Sequence, residues 1–294
     1  MSRRRALLAA LAAPLLVLSL AGCSGDDPAD AEPDRIVLKP AEDGGTGAQP
    51  VGNPVGDGTA AEVEGYRMVG VRLPGPDGTG DVSFRILDPA GAPLTDYTEE
   101  QTKLLHLYVV RDDLAEFRHL HPQLADDGTW TARVDLGSPG RWRVVAEFIP
   151  AGASRPLVLG TTLSVEGDWT PVDVPRGEAA RVGDDGVVRA RLLADAEVGP
   201  NGRLRLRVTD TNGEPVTLGS YLGASAHLTG FAADSRGFVH VHPYGAPEVE
   251  ADGTVLTFHT VFTEPGDYRL FLQVRVDGLL HQLAVTAPVI APGV

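Results

Sequence analysis

Six histidines stand in two sets of three with one spacing. His106, His119 and His121-Pro122 recur as His227, His240 and His242-Pro243, each position 121 residues further on. The pattern is His-x12-His-x-His-Pro. In an extended chain, residues i and i+2 point to one face about 7 Å apart, so His119 and His121 stand side by side, as do His240 and His242. The intervening segments centre on Asp112-Asp113 and Asp234-Ser235. If the chain folds back there, His106 comes opposite His119 or His121, and His227 comes opposite His240 or His242. Cross-strand neighbours of this kind are about 5 Å apart. Each set would then form a patch of three converging imidazoles, a donor set suited to Cu(II), Zn(II) or Ni(II). An open fourth position would make it a binding or delivery site. His259 and His281 are further candidate ligands; the first falls on an outward strand face, the second opposite Val274. The competing reading is structural: a proline stops the ladder, and imidazoles bond backbone groups at the strand end.

Strands have to carry these residues. Leu105, Leu107 and Val109 alternate with His106, Leu120 separates His119 from His121, and Val239 and Val241 flank His240. Period-two patterning denotes half-buried strands. The aliphatic residues then face a core, and the histidines take the other face or the strand ends, walled by Tyr108, Phe117, Phe231 and Phe238. The same alternation runs through Trp130–Leu136, Trp142–Phe148, Leu204–Val208, Leu256–Phe262 and Tyr268–Val274. The repeat reaches beyond the histidines. Asp88–Pro93 matches Asp210–Pro215 at an offset of 122, and Pro139–Arg143 matches Pro265–Arg269 at 126. A duplicated domain of about 100 residues follows. About seven short strands per copy, separated by Asp, Gly and Pro turns, indicate immunoglobulin-like β-sandwiches. The expected fold is all-β: two tandem sandwiches, residues 64–168 and 182–290, with a linker at 169–181 and a tail at 291–294.

Composition narrows the chemistry. With 40 Asp+Glu against 25 Lys+Arg and a net charge of −15, the chain has no electrostatic footprint for nucleic acid. One Cys makes neither an internal disulfide nor a thiolate zinc site, and two Met exclude a thioether copper site. Any metal site is thereby narrowed to imidazole. No serine elbow, P-loop, dinucleotide fingerprint or paired-carboxylate motif stands out. No catalytic residue, no enzymatic activity and no organic cofactor are therefore expected. Asp112-Asp113, Asp126-Asp127 and Asp184-Asp185 read as turn residues.

The amino terminus reads as an address. Arg3–Arg5 precede an apolar run, Ala6–Leu20, that is short for a membrane span and suits a signal peptide. It ends at Leu20-Ala21-Gly22-Cys23, which resembles a bacterial lipobox. That resemblance implies cleavage after residue 22, lipidation of Cys23, and anchoring on the extracytoplasmic face of the cell membrane. Residues 23–63 are rich in Asp, Glu, Gly, Pro and Ala and read as the lipidated Cys with a flexible, disordered tether.

Leu104–Pro122, with the later Pro139-Gly140-Arg141-Trp142-Arg143, resembles actinobacterial secreted lipoproteins that carry tandem His-x-His-Pro domains, some of them labelled heavy-metal- or copper-related. The architecture is also similar, at the level of fold, to the CopC- and YtkA-like copper-handling sandwiches of the periplasm. Phe238–Gly245 resembles the copper strand of copper/zinc superoxide dismutase, but the disulfide pair, the zinc loop and the arginine-bearing signature of that enzyme are missing. The sequence therefore leads to a membrane-anchored lipoprotein that binds Cu(II) or Zn(II) through its histidines for capture, buffering or transfer. The alternative is a non-catalytic structural or interaction module meeting an envelope protein; a dismutase-like enzyme ranks third.

Overall fold

The computed structural model describes residues 53–75, 78–291 and 293. The signal peptide, Cys23 and most of the tether lie outside the described residues.

Seven main strands build the first copy: β1 (Tyr66–Arg72), β2 (Thr79–Leu87), β3 (Leu105–Arg111), β4 (Phe117–Leu120), β5 (Thr129–Asp135), β6 (Gly140–Pro150) and β7 (Leu157–Val165). They form two antiparallel sheets, β1-β2-β5 and β7-β6-β3-β4, extended at the margins by two-residue strands. The second copy repeats the plan with β8 (Val188–Leu192), β9 (Gly199–Asp210), β10 (Ala226–Ala232), β11 (Phe238–Pro243), β12 (Gly253–Phe262), β13 (Gly266–Val276) and β14 (Leu279–Ile290). Its halves, β8-β9-β12 and β14-β13-β10-β11, are joined where the end of β11 crosses to β12. In the first copy the corresponding strand breaks at His121-Pro122, and the chain resumes on the other sheet at Gln123–Leu124.

The alternation decides which face each strand buries. Val82, Phe84, Ile86, Leu107, Val109, Trp130, Trp142, Val144 and Phe148 fill the first core. Leu204, Leu206, Leu256, Phe258, Leu270, Leu272 and Val285 fill the second. The all-β fold and its two sandwiches are as the sequence predicts.

A third core is not foreseen there. It joins Tyr108, Val110, Phe117, Val145 and Val158 of the first copy to Phe231, Phe238 and Phe271 of the second. These residues lie on the outer faces of the two four-stranded sheets, so the sheets pack face to face. Phe117 stacks on Phe271 with centroids 4.3 Å apart, and Tyr108 on Phe238 at 5.0 Å. Each such pair contributes about 0.5–1.5 kcal/mol beyond area burial.

Two segments read as free chain are built in. Within the tether, Val55 bridges Leu157, the Asp57 carbonyl accepts from the Phe238 amide, and Gly58 lies against Gly160. A Cβ at Gly160 would meet the Gly58 carbonyl oxygen at 2.0 Å, so only glycine admits this approach. Within the linker, the Val172 amide donates to Asp113, Arg176 pairs with Asp234 and Asp267, and Glu178–Arg181 form a 3-10 turn. Backbone hydrogen bonds and the chance to bury Val174 offset the ordering entropy that low hydrophobicity alone would not.

Candidate metal centre

Strand pairing sets the histidines in register. Tyr108 opposes His119 and Leu107 opposes Leu120, so His106, His119 and Phe117 share one face. On the other side of β3, His106 opposes Glu147. In the second copy Thr229 opposes His240 and His227 opposes Gln273. These are the faces that meet between the sandwiches, so the histidines lie along the seam.

The two copies exchange partners across it. His119 Nδ1 lies 2.8 Å from Gln273 Oε1, and His240 Nδ1 contacts Glu147 Oε1. His119 and His240 are equivalent positions of the repeat, and so are Glu147 and Gln273, at the offset of 126. Each copy thus orients the middle histidine of the other.

Hydrogen bonding fixes the tautomers in the first set. The Gln282 amide donates to the Phe117 carbonyl, Gln273 Nε2 donates to Gln282 Oε1, and Gln273 Oε1 is left to accept from His119 Nδ1–H. His119 Nε2 therefore carries a lone pair. His106 Nε2–H donates to the Glu100 carbonyl at 3.1 Å, so His106 Nδ1 also carries a lone pair. These two lone-pair nitrogens face each other at 3.0 Å. Burial holds the pKa of both rings down, that of His119 well down, with neighbouring histidines adding to it. The spacing is that of two ligands of one cation. Two nitrogens on one ion at about 2.0–2.1 Å are about 2.9 Å apart at a right angle and about 3.4 Å apart in a tetrahedron, which brackets the spacing.

His121 completes this set. One ligand atom from each of His106, His119 and His121 lies within 4.8 Å of the others. Atoms this close share a point within about 2.8 Å of all three, so the rings need to close by at most about 0.7 Å to reach metal–nitrogen bond length. His227 stands beside them across the seam, its ring centroid 6.1 Å from that of His106 and 5.7 Å from that of His119. The Nε2 atoms of His121 and His227 are buried with no hydrogen-bond partner among the described residues. Burial and neighbouring imidazoles push both rings to about 3, so both stay neutral and available as donors.

A second set comprises Glu100, His240 and His242, again with ligand atoms within 4.8 Å of one another. His240 Nε2 lies 2.5 Å from His242 Nε2 and 3.9 Å from Glu100 Oε1. Glu147 is 2% exposed and also accepts from the Tyr108 hydroxyl at 3.0 Å. Burial would lower the His240 pKa, but the Glu147 carboxylate outweighs it and the net direction is up. Burial and the Glu147 charge raise Glu100 to about 7, and His242 is held to about 4 by burial and His240.

The six motif histidines thus gather along one seam, and the grouping departs from the expected patch per copy. The first copy's three histidines do converge; in the second copy His227 lies apart, beside the first set without belonging to it, and Glu100 takes its place beside His240 and His242. Docking of the two faces brings Glu100 and His227 to the opposite copy's histidines, while the rings within the first set remain the nearer neighbours, at 4.7–5.2 Å. His259 and His281 belong to neither set. His259 opposes His242 in the ladder and donates to the Pro200 carbonyl, while His281 Nδ1 bonds Asp185 at 2.7 Å. Glu100, Glu147 and Gln273 are the residues that sequence reasoning missed. Glu147 carried one signal, as a charge on the face opposite Trp142, Val144 and Phe148. Glu100 sits in a tight turn with Gln101 and Thr102 at positive φ, mirrored by Tyr221–Ala224 in the second copy.

Residues 180–290 match a family described as a domain of unknown function (DUF8832). No curated protein matches the chain. Among solved structures it is similar to invasin, a bacterial integrin-binding protein, at 13% identity and a TM-score of 0.22, over 78% of this chain and 39% of that one. It is similar to domains 4 and 5 of the S-layer protein SbsC at 13% identity and 0.22, over 79% and 100%. For the fibronectin(III)-like modules of Clostridium thermocellum CbhA the values are 10% and 0.21, over 77% and 94%. Likeness at this level carries no functional information.

Proposed function

We propose that this protein binds a divalent transition metal, Cu(II) or Zn(II), at the seam between its two sandwiches, for capture, buffering or transfer. The carrying observation is the pair of lone-pair nitrogens, His106 Nδ1 and His119 Nε2, set 3.0 Å apart with both tautomers fixed from outside. His121 supplies a third imidazole and His227 a fourth from across the seam. The lipobox ending in Cys23 supports a lipid-anchored protein on the extracytoplasmic face, and the resemblance to His-x-His-Pro lipoproteins labelled copper-related points the same way.

A second reading has its own support. The cross-seam bonds of His119 and His240 and the stacked aromatics dock the sandwiches without any ion. On that reading the protein is a structural or interaction module of the cell envelope. Titration of the metal-depleted full chain with Cu(II) and Zn(II) separates the two. Binding tighter than about 1 μM, reduced by at least one equivalent in His119→Ala/His121→Ala, supports the metal reading. Weaker binding, or binding unchanged in that variant, refutes it.

A further inference from the structure

The second set differs from the first in chemistry and in where its ligands come from. Its two imidazoles belong to the second sandwich and its carboxylate to the first. Glu100 is 8% exposed, and its Oε1 has no hydrogen-bond partner among the described residues. A buried carboxylate oxygen without a donor is unfavourable unless a proton or a cation meets it. The nearest nitrogen, His240 Nε2, is 3.9 Å away. That is too long for a hydrogen bond and within the reach of two ligands of one ion, while His240 Nε2 and His242 Nε2, 2.5 Å apart, must part by about 0.4 Å to share it.

The outer shell differs too. At equivalent positions of the repeat, Glu147 backs His240 while Gln273 backs His119. A carboxylate behind a ligating imidazole fixes its tautomer and raises its basicity; an amide does the first and little of the second. A dication brought to Glu100 and Glu147 has two carboxylates beside it, whereas the all-imidazole set has only Glu147 near, opposite His106.

We infer that the protein holds two metal ions rather than one, the second bound by Glu100, His240 and His242 across the seam, with Glu147 as a positioning residue, and that this carboxylate-bearing site is the tighter for a dication. The inference rests on the metal-binding reading above and goes beyond it in number, ligand identity and order of filling. Because its ligands come from both sandwiches, the second ion clamps them together. An ion at 100 times its dissociation constant stabilises the bound form by about 2.7 kcal/mol.

The test is a Zn(II) titration of the metal-depleted full chain, followed by calorimetry and by metal analysis after gel filtration. Wild type is expected to retain two equivalents. His240→Ala/His242→Ala is expected to retain one and to lose the tighter phase. His119→Ala/His121→Ala is expected to retain one with the tighter phase intact. Glu100→Gln is expected to weaken the tighter phase at least tenfold and leave the other unchanged; circular dichroism and gel filtration check that each variant is folded. A single equivalent in wild type, lost in either double variant, means one shared ion and overturns the inference while sparing the metal reading. A single equivalent unaffected by His240→Ala/His242→Ala overturns it as well. No retained metal in wild type refutes the broader reading instead.

Discussion

Replacing Glu147 by Gln tests whether the second set is built for a cation or only for docking. Glu147 accepts from the Tyr108 hydroxyl at Oε2, and its Oε1 forms a close ion pair with His240 Nδ1. Glutamine keeps the shape and offers one acceptor and one donor group. If its amide nitrogen faces His240, the ring must turn its lone pair to Nδ1, and Nε2 then carries a proton and cannot ligate. If its oxygen faces His240, the tautomer survives, but the charge behind the imidazole is gone. Loss of an outer-shell partner weakens metal binding about 10–100-fold, or about 1.4–2.7 kcal/mol. The fold pays less. A charge-assisted hydrogen bond is worth about 1.5–3 kcal/mol, and much of that is offset because a carboxylate no longer has to be buried. With about 2–4 °C per kcal/mol for a chain of this size, the metal-free melting temperature should fall by a few degrees at most. The assay is competition against a chelator of known affinity, with the His106, His119 and His121 site as internal reference. A variant that melts lower but binds its tighter ion within twofold of wild type would show that Glu147 only holds the seam, and the reasoning from tautomers to ligation would fail.

Gln282→Leu removes the group that orients Gln273, two bonds away from any ligand. The His119 ring should then populate both tautomers in nitrogen-15 spectra, and the all-imidazole site should weaken about tenfold; an unchanged His119 signal counts against the relay. Phe117→Ala deletes a fully buried ring stacked on Phe271 and should cost about 3–5 kcal/mol in urea unfolding, more than any single histidine change. A loss below about 1 kcal/mol would mean that the seam is not a packed core. Asp113 ties the linker to the first sandwich. Burial raises its pKa, but Arg111 and the Val172 and Ala115 amides outweigh that and hold it below its ordinary 3.8. Because the folded value is depressed, its contribution is complete above pH 3.8 and is lost as pH falls through the folded value. The stability gap between wild type and Asp113→Asn should therefore close in acid; a gap as wide at pH 2.5 as at pH 6 refutes the assignment.

The strands and the cores were legible because alternation is a local signal. Trp142, Val144, Ala146 and Phe148 announce one buried face without reference to any other part of the chain. The repeat was legible for the same reason, since turn residues and histidines keep their order. The ligand sets were not. Alternation assigns Glu147 to the face opposite Trp142, but only the pairing of β6 with β3 puts it beside His106, and only docking of the second sandwich puts His240 against it. The ordered part of the tether escaped notice because backbone groups bind it: Val55, Asp57 and Gly58 are held through their carbonyls and amides, which no side-chain pattern records.

What duplication adds is reciprocity without identity. A domain that docks on its own copy through equivalent faces presents every contact twice, so one useful pairing at the seam arises as two. His119 with Gln273 and His240 with Glu147 are such a pair. Once duplicated, each is free to change alone, and around the histidines two positions differ in charge: Glu100 against Tyr221, and Glu147 against Gln273. Both substitutions put a carboxylate on the same side of the seam, around His240 and His242, and leave neutral groups around His119. Drift that merely preserved packing would have no reason to bury two acids together, because each costs several kcal/mol to desolvate and they repel. The cation we infer at His240 and His242 would supply the reason, and the set at His106, His119 and His121 differs in charge from that at Glu100, His240 and His242 though both descend from one arrangement of imidazoles.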